Sequence, residues 1–127
     1  DAGQQSQKKT ILLVEDSNTS RKVLSLILSR TGYTVLEADR GSDALRIATT
    51  NPPAMIILDI MLPDINGYDL LNQLRQKEQL TKVPVVIFSG SNSLADQIKG
   101  REAGVIEYLT KPFNPQQLVS LVDHYLG

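Results

Sequence analysis

Ala54–Asp59 reads AMIILD, a continuous apolar run that follows the Pro52–Pro53 breaker and stops on an acid. Unbroken rather than alternating apolar character suits a strand covered on both faces, as in a parallel sheet. Similar runs recur on either side of it. Thr10–Glu15 (TILLVE) is short, apolar and acid-terminated, and Thr34–Ala38 is a weaker candidate. Val83–Phe88 (VPVVIF) carries Pro84 at its beginning, where a strand tolerates proline, and Val105–Leu109 is the fifth run.

Helical patterns fill the gaps. Asn18–Arg30 opens on cap-type residues, places Leu24, Ile27 and Leu28 on one stripe, and stops at Gly32. Gly41–Thr50, with Ser42 expected as its cap, turns Ala44, Leu45 and Ala48 inward; Gly67–Lys77 carries Leu70, Leu71 and Leu74. Pro115–Leu126 sets Leu118, Val122, Tyr125 and Leu126 at the spacing of a buried face. Asn92–Ala103 is the poorest helix. Leu94 and Ile98 form its expected face, and Gly100 interrupts it at a cost of ~1 kcal/mol relative to alanine. A strand–helix unit repeated five times predicts an α/β fold, (βα)5, with a parallel sheet, right-handed crossovers and helices on both faces.

The 127 residues suit one domain with a single sizeable core. Asp1–Lys9 reads as a polar leader outside it and residues 10–127 as the domain. Hydrophobic residues make up 41% of the chain and charged ones 21%, an ordinary globular balance. With 13 basic and 14 acidic side chains the formal net charge is -1, which offers no counterion-driven grip on nucleic acid or a membrane surface. No stretch approaches the ~18 apolar residues of a membrane span. Cysteine is absent and His124 is the one histidine, so thiolate and zinc chemistry are excluded and a metal site would be built from oxygen.

Ligands of open parallel sheets bind beyond the carboxyl ends of the strands. Strand one closes on Glu15 and Asp16, strand three on Asp59, strand four on Ser89 and Gly90, and strand five on Lys111–Pro112. Singly, each is an ordinary loop residue. Together they put three carboxylates, a hydroxyl and an ammonium on one sheet edge. Two unit charges ~4 Å apart repel by roughly 4 kcal/mol at an effective dielectric of 20, so such a cluster must take up a proton or a cation. Magnesium prefers one or two carboxylates, waters and a phosphate, which matches this set. Asp39, Asp43, Asp64, Asp69, Asp96 and Asp123 fall in loops or on helix exteriors and carry no expected role.

LLVEDS (Leu12–Ser17), ILDIMLPDINGYDL (Ile57–Leu70), VIFSG (Val86–Gly90) and YLTKPF (Tyr108–Phe113) stand in the order and at the separations of a known family. From Lys9 to Leu126 the chain resembles the receiver domain of two-component response regulators. The resemblance implies a doubly wound, flavodoxin-like three-layer sandwich of strand order 2-1-3-4-5. It makes Asp59 the phosphoacceptor, and Glu15 and Asp16 the acidic pair that holds Mg2+ with Asp59 and the main-chain carbonyl of Met61. Whether Glu15 reaches the metal directly or through water stays open. Ser89 resembles the hydroxyl that contacts the phosphoryl group, Tyr108 the aromatic switch that follows it inward, and Lys111 the lysine that bonds the acceptor or its phosphate. The resemblance also implies a cis Lys111–Pro112 bond and a tight approach at Gly67.

The implied partners are a histidine kinase or histidine phosphotransfer protein upstream and an effector downstream, engaged through the helix 4/strand 5/helix 5 face. A phosphorylation-dependent homodimer and a cytoplasmic location belong to the same expectation, with no direct contact to nucleic acid or membrane. Such a domain catalyses only its own aspartyl phosphorylation and dephosphorylation. Met61 and Ser91, two residues past Asp59 and Ser89, are not strong bases, which predicts unassisted hydrolysis and a slow-to-moderate phosphate lifetime.

Three rivals are weaker. A haloacid-dehalogenase-type phosphatase needs a second aspartate where Met61 stands, and a cap domain. A flavodoxin-like electron carrier wants a Ser/Thr-rich loop after strand one and aromatics over the flavin, whereas EDSNTSRK and only four tyrosines and two phenylalanines are present. A receiver-like interaction domain that is never phosphorylated would not need the intact acidic set.

Overall fold

The expected strands form one sheet, with the three that are apolar on both sides, the first, third and fourth, at its centre. The structure is a computed structural model that describes residues 9–90 and 93–127. Strands β1 (Thr10–Val14), β2 (Thr34–Ala38), β3 (Met55–Asp59), β4 (Val85–Ser89) and β5 (Glu107–Thr110) pair in parallel in the order β2-β1-β3-β4-β5. Helices α1 (Asn18–Arg30), α2 (Gly41–Thr50), α3 (Gly67–Arg75), α4 (Leu94–Glu102) and α5 (Pro115–Leu126) connect or follow them, with a 3-10 turn at Glu78–Leu80. This is the doubly wound, flavodoxin-like (βα)5 sandwich of order 2-1-3-4-5.

Successive strand side chains point to opposite faces, so one sheet feeds two cores. Leu12, Val14, Ile56, Leu58, Val85 and Ile87 pack with Ala44, Ala48, Leu70, Leu71 and Leu74 of α2 and α3. Ile11, Leu13, Met55, Ile57, Val86 and Phe88 pack with Leu24 and Leu28 of α1 and Leu118 and Val122 of α5. Fully burying each of these Val, Leu, Ile, Met and Phe side chains stabilises the fold by about 1.5–3 kcal/mol.

Boundaries move by a residue or two. β1 stops at Val14, although the Glu15 amide still donates to the Ala38 carbonyl (3.0 Å). α3 ends at Arg75, not Lys77; there the Arg75 guanidinium donates to the carbonyls of Leu80, Thr81 and Val83 and ties down the turn into β4. The leader lies outside the described residues except for Lys9, as do Ser91 and Asn92.

Four expectations about helices need correction. Ser42 does not cap α2. The residue before that helix, Arg40, makes no side-chain cap bond, and the Asp64 carboxylate supplies the cap from another loop. Tyr125 is exposed, and Ile27 only half-buried. On α4 the expected apolar face points outward, with Leu94 72% exposed and Ile98 44%. That helix packs instead through buried Gly100, where a Cβ would stand 3.2 Å from Tyr108 Cδ2 and 3.4 Å from Tyr68 Oη. The glycine that weakens the helix is thus its point of closest approach.

Candidate functional site

The carboxyl ends of β1, β3 and β4 meet side by side because register pairs Val14 with Leu58 and Asp59 with Phe88. Asp59 closes β3 with 4% of its surface exposed, and Glu15 follows β1 with 1% exposed. Buried carboxylates are tolerable only when held, and both are. Lys111 Nζ donates to Glu15 Oε1 (2.9 Å) and to Asp59 Oδ2 (3.0 Å). The remaining oxygens take backbone amides: Ser17 N donates to Glu15 Oε2 and Met61 N to Asp59 Oδ1, each at 3.0 Å.

Lys111 is brought there by its own backbone. Its amide donates to the Ser89 carbonyl (2.7 Å), and the Lys111–Pro112 bond is cis, as the resemblance implies. Its ammonium also lies 4.7 Å from the centre of the Phe88 ring. Burial alone would push the ammonium down; the bonds from Glu15 and Asp59 outweigh it and hold Lys111 above its ordinary value. It is therefore a cation throughout the neutral range.

Asp16 is exposed beside this pair, and one carboxylate oxygen from each of Glu15, Asp16 and Asp59 falls within 4.8 Å of the others. Three hard oxygen donors at that separation fit a magnesium-type ion and no soft metal. Met61 contributes through its backbone at Asp59, and the residue is 71% exposed. Ser89 is buried at the end of β4, next to the strand that carries Asp59. A groove of about 370 Å³ opens beside Glu15 and Lys111, walled by Leu24 and Val23 of α1 and by Phe113 and Pro115.

Tyr108 sits apart from the cluster. It pairs with Ile87 in the sheet and is half-buried, its ring against Gly100. Gly67 closes the loop that leaves Asp59: a Cβ there would fall 2.7 Å from Ile60 Cα and 2.9 Å from the Asp59 carbonyl oxygen, so only glycine lets α3 start so close.

Sequence reading missed three residues that build the site. The Ser17 amide fixes Glu15 and its side chain caps α1 at Ser20 N. Asp64 anchors the loop after Asp59 to α2. Arg21 is buried on α1 and donates to the Glu15 carbonyl (2.8 Å). A signal for Arg21 was present: it lies three residues before Leu24 and seven before Leu28, so it is a charge on the buried stripe.

A sequence model of the response regulator receiver domain matches residues 11–123. Among curated relatives, the transcriptional regulatory protein GltR of Pseudomonas aeruginosa is 35% identical over 118 residues, covering 93% of this chain and 49% of GltR. The chain thus spans about half the length of the curated relatives it matches. Among solved structures, a putative response regulator from Chloroflexus aurantiacus superposes with a TM-score of 0.87 at 36% identity, covering 94% of this chain and 98% of that one. The receiver domain of the sensor histidine kinase PA1611 from Pseudomonas aeruginosa, solved with a magnesium ion in its active-site cleft, gives 0.85 at 29% identity, covering 93% and 97%.

Proposed function

The chain belongs to the response regulator receiver domain family, a component of two-component signalling, and from that membership we propose that Asp59 accepts a phosphoryl group from a phosphohistidine on a partner protein. The observation that carries this is Lys111 Nζ bridging Glu15 Oε1 and Asp59 Oδ2 beside the third acid, Asp16. A half-buried ammonium on a buried carboxylate is placed to follow negative charge as it moves onto the phosphoryl oxygens.

In the transfer, the phosphorus–nitrogen bond of the donor breaks as an Asp59 carboxylate oxygen bonds to phosphorus, and the imidazole nitrogen keeps the electron pair. Such displacements depend on positioning and charge neutralisation more than on covalent help from the protein. Asp16, Asp59 and the Met61 carbonyl would hold Mg2+, which when bound neutralises charge on the acceptor and the phosphoryl group. Glu15, whose oxygens already accept from Lys111 and Ser17, contributes charge more than a ligand bond. The Met61 amide fixes the rotation of the Asp59 carboxylate, and the Ser89 hydroxyl stands at the neighbouring strand end.

The added charge at the β3 end then draws on Ser89 and rebiases the region through Tyr108, the switch pair of this reading. Exposed Leu94 and Ile98 on α4 support the α4/β5/α5 face as the surface offered to an effector or to a second copy of the chain. The donor is a histidine kinase or histidine phosphotransfer protein, and the setting is the cytoplasm. Among the described residues no helix is long and apolar enough to cross a membrane. Incubation with a small phosphodonor and magnesium, read by intact mass against Asp59→Asn, tests the reading. Gain of one phosphoryl group by the wild type alone is expected. No gain, or equal gain in the variant, overturns it.

A further inference from the structure

Glu15 is gripped at four points: its amide by the Ala38 carbonyl, its two carboxylate oxygens by Lys111 and Ser17, and its carbonyl by Arg21. The last is the unusual one. Arg21 is 8% exposed and its guanidinium is used on three sides. Nη1 donates to the Glu15 carbonyl (2.8 Å), Nη2 to Asn18 Oδ1 (2.5 Å) and Nε to Glu37 Oε1 on β2 (3.1 Å). One planar fork therefore ties the end of β1, the first turn of α1 and strand β2 together.

The Glu15 carbonyl lies one residue past the last rung of the β1–β2 ladder, Val14 with Ala38. Its direction sets the plane of the Glu15–Asp16 peptide, and through it the origin of the Asp16 side chain. That side chain is exposed, and among the described residues no hydrogen bond or ion pair holds its carboxylate. Where the Asp16 oxygen stands relative to Asp59 is thus decided by backbone, and Arg21 holds that backbone.

We propose that Arg21 is a positioning residue for metal binding: it fixes the Glu15–Asp16 peptide so that the Asp16 carboxylate meets Asp59 at the spacing a magnesium ion needs. This rests on reading the acidic cluster as a magnesium site. Groups that orient metal ligands without touching the ion change affinity by about 10–100-fold when removed. A lysine cannot replace the fork, because its single ammonium cannot reach three acceptors that diverge in a plane.

The test is calorimetric titration of the full chain with Mg2+, with no phosphodonor, for the wild type, Arg21→Lys and Asn18→Ala. Melting in the absence of metal is followed alongside. Arg21→Lys keeps the charge, so a loss there is geometric; roughly tenfold weaker binding is expected. Asn18→Ala leaves the buried arginine in place and removes only the Nη2 partner at an exposed first-turn position. As a change at an exposed residue it is expected to fold whatever becomes of the lysine variant, and its binding to weaken severalfold. A purely structural Arg21 would lower the melting temperature and leave the Mg2+ affinity alone. Wild-type affinity in folded Arg21→Lys, or in Asn18→Ala should the lysine variant not fold, overturns the proposal. No Mg2+ binding by the wild type overturns the site reading and the proposal with it.

Discussion

The Asp64 carboxylate straddles the start of α2, one oxygen accepting from the Gly41 amide (2.8 Å) and the other from the Ser42 amide (3.0 Å). It therefore satisfies two of the free donors that every helix start presents, from a loop 23 residues away along the chain. The same loop includes Met61, whose amide donates to Asp59 Oδ1, so the cap also anchors the loop that leaves the acceptor. Asp64→Ala should cost about 1 kcal/mol in urea unfolding, and Asp64→Asn, which keeps one acceptor, less. The Gly41 amide holds the Asp64 carboxyl below its usual value; burial opposes it less strongly, and the Ser42 amide adds to the lowering. A lowered folded value contributes stability that is present above the unfolded value near ~3.9 and is lost as pH falls through the folded one. The difference between wild type and Asp64→Ala should accordingly shrink in acid; a constant difference down to pH ~2 would contradict the assignment.

Magnesium should stabilise the folded chain by mass action. At a hundredfold excess over its dissociation constant the gain is about 2.7 kcal/mol, which for a domain of this size is a rise in melting temperature of roughly 10 °C. Asp59→Asn removes one of the three acids and should abolish most of that increment, and chelation should reverse it in the wild type. Differential scanning with and without chelator decides the matter. A full increment in Asp59→Asn would place the ion elsewhere.

Tyr33 donates to Asp123 Oδ1 at 2.5 Å, joining the start of β2 to α5. Burial first, then this bond and the nearby negative charge, push the phenol up to about 12. Tyr68 is likewise pushed up to about 12, by burial and then by Tyr108 and Asp96. A raised folded value means that the contribution is complete below the unfolded value near ~10 and fades as pH rises through the folded one. Tyrosinate absorbance should therefore show two late-ionising phenols, one lost in Tyr33→Phe and the other in Tyr68→Phe. Both variants should also lose less stability than the wild type as the solution is made alkaline.

These relationships explain what was legible beforehand. β3 could be read because an unbroken apolar run ending in Asp59 follows from burial on both faces, a property of each residue in its own place. The acids and Lys111 could be read because parallel connectivity sends every strand end to one edge. Asp64 and Tyr33 could not, since their partners lie 23 and 90 residues away along the chain and nothing local marks them; Arg21 was marked as a charge on the buried stripe of α1, but its partner Glu37, 16 residues on, was not. The face of α4 was misread for a related reason. Leu94 and Ile98 have the right spacing, but periodicity does not say whether a stripe meets the core, and α4 instead turns buried Gly100 toward Tyr108 and Tyr68.

That packing of α4 makes a further prediction. The Tyr68 hydroxyl donates to the Asp96 carbonyl (2.8 Å) within the first turn of α4, and Lys99 Nζ lies 5.2 Å from the centre of the same ring. Tyr68→Phe should cost about 1 kcal/mol and speed amide exchange in α4 more than in α3. Gly100→Ala gains ~1 kcal/mol of helix propensity but sets a methyl 3.2 Å from Tyr108 Cδ2. The ring is half-buried on β5, the edge strand, so displacing it costs less than displacing a core side chain. The expected result is little net change in stability and a displaced Tyr108 ring, read from its side-chain NMR shifts. Unmoved shifts would mean that α4 does not bear on Tyr108.

The lifetime of the phosphorylated form turns on Met61. Hydrolysis needs a water in line with the bond between phosphorus and Asp59, and Met61, two residues past Asp59 with its amide on Asp59 Oδ1, is 71% exposed. A thioether is a weak acceptor and no base, so it neither orients that water nor removes its proton. Ser91, the second position expected to tune this step, lies outside the described residues. Unassisted hydrolysis should leave the acyl phosphate with a half-life of minutes or longer, measured by following intact mass after the donor is removed. Met61→Leu should leave the half-life unchanged, because it is apolar and of similar volume. Met61→Gln places an amide where it can hydrogen-bond the water and should shorten it severalfold. A wild-type half-life of seconds would show that another group supplies the assistance that Met61 lacks.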